Sequence, residues 1–191
     1  KSWASISKEK KLVKKNINEQ LKFVYVGSLS LENTFIQEFC NWVISKNGKV
    51  IFTIYAFNTT VSTYNYLLSL HSEYIDFNPG GIEYEKIPQV LSGYDIGVIL
   101  YKGNTLNAKL CVSNKLFEYL ACGLEVWVTK QQEGSLPYLD SNHQPRVMAL
   151  DFDNFNETLI NSYLASDSLP YKTHFFNSEN QLDSLINNML I

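Results

Sequence analysis

Hydrophobic positions along the chain fall into two patterns: short continuous runs bounded by turn residues, and stretches with an apolar residue every three or four positions. The runs Lys22–Ser28, Lys49–Tyr55, Tyr74–Phe77, Asp95–Tyr101, Glu125–Thr129 and Arg146–Leu150 are rich in β-branched and aromatic residues and predict six strands. Helical spacing occurs in Phe35, Phe39, Trp42 and Val43, ending at Asn47-Gly48, and again in Tyr64–Leu70 and Tyr84–Leu91. A further helix starts at Ser113, and Leu182, Leu185, Ile186, Met189 and Leu190 predict a last one. Asn78-Pro79-Gly80-Gly81 reads as a turn and Lys102–Val112 as a loop.

Strand and helix alternate with no internal repeat. This predicts an α/β fold: a Rossmann-like parallel sheet of about six strands with helices on both faces, because right-handed crossovers place them there. Ligands in such sheets bind beyond the carboxyl ends of the strands. Residues 1–20 carry the lysine run Lys8–Lys15 (KEKKLVKK) around two apolar residues and read as a basic linker or solvated helix. Residues 21–191 then form one domain.

Composition narrows the function. A chain of 191 residues with 45% hydrophobic residues can bury one good core. A net charge of −3 and a single arginine, Arg146, give no broad basic field, which argues against nucleic-acid binding. Cys40, Cys111 and Cys122 are odd in number and form no CxxC pair, so reduced thiols in a cytoplasmic compartment are the simplest reading. No apolar run approaches the roughly 20 residues of a membrane span, and the first residues lack the apolar stretch of a secretory signal.

The richest segment is Ser113 to Trp127, SNKLFEYLACGLEVW. Ser113 is the expected N-cap and Gly123 the residue that ends the helix. Leu116, Phe117, Leu120 and Ala121 form one side, and Lys115, Glu118 and Cys122 another. The first-turn amides lack internal partners and, with Lys115, suit an anion such as phosphate. The competing reading makes Lys115 and Glu118 an exposed i,i+3 ion pair worth about 0.2–0.5 kcal/mol. Spacing admits both.

Other chemistries lose support. Gly27 is followed by SLSLE, not GxGxxG, and no GxxxxGK[ST], HExxH or GxSxG occurs. His71, His143 and His174 stand apart from any metal-ligand spacing, so no metal is expected.

The strand ending at Gly27, the turn Asn78 to Ile82, the run YEKIPQVLSGYDIGVILY and the segment SNKLFEYLACGLEVWVTK occur in an order that resembles retaining glycosyltransferases of the GT-B fold. The similarity is to the C-terminal, donor-binding half of a family 4 (group 1) enzyme and runs from about Lys22 onward. It implies that Glu118 binds the ribose hydroxyls. It implies that Val112, Ser113, Asn114 and Lys115 hold the diphosphate and sugar through the helix start. Phe77, Asn78, Gly80 and Ile82 would lie against the base, and Gly27 and Ser28 would face the phosphates.

Two departures from the resemblance matter. The acidic residue eight positions before the ribose-binding glutamate is Leu110 here, and the basic pair after the first strand is missing, with Ser28 in its first place. Lys109 and Lys115, with Lys102 behind them, are the replacements available. The function implied is transfer of a hexose from a UDP- or GDP-sugar to a carbohydrate or lipid-linked acceptor in bacterial surface-polysaccharide synthesis. No cofactor or metal is implied. The acceptor would bind an N-terminal domain absent from this chain, membrane contact would be peripheral, and the chain alone would bind without turnover. A noncatalytic module for assembly or carbohydrate recognition is the alternative, and a nucleotide-sugar epimerase is a third reading.

Overall fold

The computed structural model describes residues 20–155 and 169–172; the lysine run and the last helix expected from the sequence lie outside them. Six strands appear where the pattern places them: β1 (Leu21–Gly27), β2 (Val50–Ala56), β3 (Ile75–Asn78), β4 (Ile96–Ile99), β5 (Glu125–Thr129) and β6 (Val147–Leu150). All five pairings are parallel, in the order β3-β2-β1-β4-β5-β6. β1 and β4 are neighbours, so the winding reverses there and a crevice opens beyond their carboxyl ends.

Five α-helices connect these strands: α1 (Ile36–Ser45), α2 (Val61–Ser69), α3 (Ile87–Leu91), α4 (Leu106–Leu110) and α5 (Asn114–Ala121). Alternation along β1 divides the core. Phe23 and Tyr25 point to the α1 face, and Val24 and Val26 to the α5 face. On the first face Phe23 sits 4.9 Å from Trp127, 5.5 Å from Phe39 and 5.7 Å from Trp42, ring centre to ring centre. Such edge-to-face contacts add about 0.5–1.5 kcal/mol each beyond area burial. On the second face Leu116, Tyr119 and Leu120 of α5 pack onto Val24, Val126 and Val128.

Local rules account for the differences from the sequence reading. The helix expected over Tyr84–Leu91 divides into a 3₁₀ turn at Tyr84–Lys86 and the short α3, with Pro88 in the first turn of α3. Proline carries no amide hydrogen and is tolerated only there. The loop expected over Lys102–Val112 contains α4, whose N-cap is Thr105: its hydroxyl accepts from Ala108 N at 3.1 Å. Asn78 ends β3 and opens the expected turn, its carbonyl accepting from Gly81 N at 3.3 Å. Cys122, placed on the outward face by spacing, is fully buried in the second core cluster: it is the C-cap residue, beyond the last helical residue Ala121, and Gly123 follows at φ +73°.

Candidate functional site

At the β1/β4 crevice the structure holds a half-open cleft of about 570 Å³. That is the size range of small-ligand sites. Its lining includes Val26 and Gly27 at the end of β1, Tyr101 after β4, Ser113, Asn114, Lys115 and Glu118 at and after the start of α5, and the largely apolar Phe57, Ile82, Tyr84 and Ile87.

The α5 start is built differently from the expectation. Ser113 makes no side-chain cap; its carbonyl accepts from Leu116 N at 3.0 Å. The amides of Asn114 and Lys115 precede the first i→i−4 bond and stand at the positive end of the helix dipole. Tyr119 anchors the helix from below: its buried hydroxyl accepts from Val26 N at 3.1 Å. Burial drives that hydroxyl's pKa far above its usual value, which keeps it neutral.

Lys115 and Glu118 do not form the ion pair that spacing allowed. Lys115 Nζ donates to Tyr101 Oη at 2.8 Å and lies 5.4 Å from the centre of the Tyr25 ring. Glu118 makes no side-chain hydrogen bond to the described residues. Burial raises its pKa from the ordinary glutamate value, and the positive charge of Lys115 partly opposes the rise. The cleft therefore offers one cation and one carboxylate, about one helical turn apart and not spent on each other.

Of the residues singled out in the sequence, Gly27, Ile82, Ser113, Asn114, Lys115 and Glu118 line the cleft, as does Val112. Ser28, Asn78, Gly80 and Lys109 do not. Ser28 O accepts from Tyr25 Oη at 2.5 Å, and Asn78 Nδ2 donates to Asp76 at 2.9 Å. A Cβ at Gly80 would meet nothing within 4 Å, so no close approach requires that glycine. Phe77 packs edge-on against Tyr64, at 5.8 Å. Lys109 pairs with Glu133 at 3.0 Å, and Lys102 with Glu38 at 3.1 Å. Of the three lysines considered as replacements, Lys109 and Lys102 thus face carboxylates outside the cleft lining and Lys115 lines it.

Sequence reasoning missed Tyr101, Phe57, Tyr84 and Gln132. Gln132 is 1% exposed; its Nε2 donates to Cys111 O at 3.3 Å and its Oε1 lacks a partner. It braces the segment leading into α5. Tyr101 lay in the expected fourth strand, and its place at the strand's carboxyl end was the available signal. Phe57 follows β2 in the same way.

Among the described residues no three His, Cys, Asp or Glu side chains converge as for a metal ion. His143, read as isolated, lies 3.1 Å from Asp140, and neither residue lines the cleft. No helix of the described residues is long and apolar enough to cross a membrane. Cys40, Cys111 and Cys122 are free thiols.

No protein-family model and no curated protein matches the chain. Solved structures do. The C-terminal domain of a glycosyl transferase group 1 family protein from Francisella tularensis superposes with a TM-score of 0.56 at 17% identity, over 78% of this chain and 76% of that one. Anabaena HepE, in complex with UDP and glucose, gives a TM-score of 0.56 at 11% identity, over 91% of this chain and 49% of its own. A UDP-forming α,α-trehalose-phosphate synthase from Burkholderia xenovorans gives 0.51 at 13% identity, over 76% and 36%. The chain thus spans half or less of these two longer proteins. It has the fold of the Rossmann-like half of GT-B glycosyltransferases.

Proposed function

We propose that this chain is the donor-binding domain of a retaining glycosyltransferase that takes a hexose from a UDP- or GDP-sugar. The observation that carries the reading is the pairing of an unpartnered Glu118 carboxylate with the Lys115 ammonium and the α5 amides in one cleft at the β1/β4 switch point. A carboxylate accepting two hydrogen bonds suits a vicinal ribose diol. An ammonium and two free amides suit a diphosphate, and stabilise the charge that grows on it as the sugar–phosphate bond breaks. The lining residues Phe57, Ile82 and Tyr84 offer apolar and aromatic surface that suits a base. The company of UDP-binding and UDP-forming proteins supports uracil among the bases.

The acceptor and the remaining catalytic groups belong, in this reading, to an N-terminal domain, and the carbohydrate or lipid-linked acceptor serves polysaccharide synthesis at the cytoplasmic side of a membrane. No metal enters the mechanism: Lys115 and the helix start carry the leaving diphosphate. The noncatalytic alternative is favoured by one observation: Lys115 is the single cation among the described lining residues.

A thermal-shift panel of UDP, GDP, ADP and dTDP tests the proposal. A ligand at ten times its Kd stabilises by about 1.4 kcal/mol, or about 3–6 °C for a domain of this size. A selective shift that Glu118→Ala abolishes supports the donor site. No shift with any diphosphate favours the noncatalytic module.

A further inference from the structure

The lysine in the cleft comes from α5, yet its ammonium stands over the end of β1. A Cβ on Gly27 would fall 2.7 Å from Lys115 Cε and 2.9 Å from its Nζ, so the lysine occupies the space that any other residue's side chain would need. Lysine has more rotamer freedom to lose than almost any side chain, and an ammonium on a flexible stem does not settle at one place unaided. Here it is fixed by the Tyr101 hydroxyl at 2.8 Å and by the face of Tyr25, which is fully buried. The Tyr101 backbone is itself held: its carbonyl accepts from Thr129 Oγ1 at 2.6 Å, it bridges Thr34, and Lys102 N beyond it donates to Asn33 O at 2.8 Å. Among the described residues no carboxylate lies within 4.0 Å of Lys115 Nζ.

We propose that Tyr101 is the positioning residue of an anion site, holding the Lys115 ammonium above Gly27 so that one cation from α5 serves the phosphate-facing end of β1. The identity of the anion as a nucleoside diphosphate rests on the donor-site reading; the positioning does not. Two of the three ammonium hydrogens remain for the ligand once Tyr101 has taken one. The tyrosine oxygen acts through Lys115 and need not touch the ligand.

Calorimetric titration of wild type, Tyr101→Phe, Lys115→Met and Glu118→Gln with inorganic pyrophosphate and with UDP tests this. Tyr101→Phe removes one oxygen and keeps the ring, so its melting temperature stays within about 2 °C of wild type. It weakens both ligands about 5- to 10-fold, the scale of one hydrogen bond. Lys115→Met abolishes pyrophosphate binding, and Glu118→Gln weakens UDP alone. Pyrophosphate affinity unchanged in Tyr101→Phe but lost in Lys115→Met overturns the proposal and leaves the donor reading standing. Pyrophosphate binding that depends on Tyr101, without UDP binding, upholds it while the donor reading fails. Wild type binding neither ligand overturns both.

Discussion

The Tyr119 ring lies against Gly97 so closely that a Cβ on the glycine would sit 2.3 Å from Tyr119 Cδ2. The same side chain reaches past β4 to accept from Val26 N on β1. One residue of α5 thus sets the height of the helix over the two strands that flank the cleft, and with it the positions of Lys115 and Glu118.

Gly97→Ala is expected to destabilise the domain by about 1–3 kcal/mol, the range for overpacking a filled core. Tyr119→Phe strands the buried Val26 amide and costs about 1–3 kcal/mol. Urea titration measures both, and either variant within 0.5 kcal/mol of wild type, the usual scatter of surface substitutions, would remove Tyr119 from this role.

Gly27 is needed for space and for conformation. It adopts φ +134°, a region side chains rarely enter, beneath the Lys115 stem. Gly27→Ala is expected to displace the lysine and weaken pyrophosphate binding at least as much as Tyr101→Phe does. Equal affinity in wild type and variant would show that the lysine moves aside freely.

Lys109 is expected to be dispensable. Its pair with Glu133 joins two side chains each nearly half exposed. Exposed pairs of this kind are worth about 0–1 kcal/mol. Lys109→Ala should leave UDP affinity within about twofold, because Lys109 does not line the cleft and Glu133 offsets its charge. A larger loss would bring Lys109 back as a phosphate ligand.

Glu118 gives nucleoside binding a pH dependence. Its folded pKa is raised, first by burial, and the charged form accepts from the diol. Affinity is therefore full above the raised pKa and falls as pH drops through it, at higher pH than for an exposed glutamate. Titrating uridine, which carries no phosphate, from about pH 8 to about pH 5 isolates this group. Glu118→Gln should bind weakly with a flat profile; a wild-type profile that is equally flat counts against the role.

Glu125 links stability to pH. It is buried at the start of β5 against Arg146, and burial pushes its carboxyl up to about 7 against the opposing pull of that guanidinium. In the unfolded chain it titrates near the ordinary glutamate value, so between the two the folded state holds more protons. Its contribution to stability is complete below the unfolded pKa and is lost as pH rises through about 7. Urea unfolding at about pH 5 and about pH 8 should show this decline, and Glu125→Gln should flatten it. Stability rising with pH in wild type, and flattened by the same variant, would mean that Arg146 holds the carboxyl below its unfolded value.

All six strands, and Leu116 and Leu120 on the buried side of α5, were legible because each depends on a period that local sequence carries: runs for buried parallel strands, three-to-four spacing for helices; Tyr119, fully buried beside them, was not placed on that side. Glu118, Lys115 and Gly27 were legible too, the first two as polar positions opposite that apolar side and the last as a glycine ending a strand. α4 was not, since five residues with Leu106 and Leu110 exposed show no amphipathic signal; only the Thr105 cap marked it.

What the sequence determined by itself is the alternation of elements and the charge of the side chains available at the ends of the strands. What the tertiary structure decided is which charges are free. Lys102, Lys109 and Lys115 look alike in the chain, yet two of them end on Glu38 and Glu133 and the third on a tyrosine oxygen. Those partners lie 64, 24 and 14 residues away in sequence. Local periodicity contains no term for contacts at such separations: they are set by the order of strands in the sheet, which places the ends of β1 and β4 side by side beneath the start of α5.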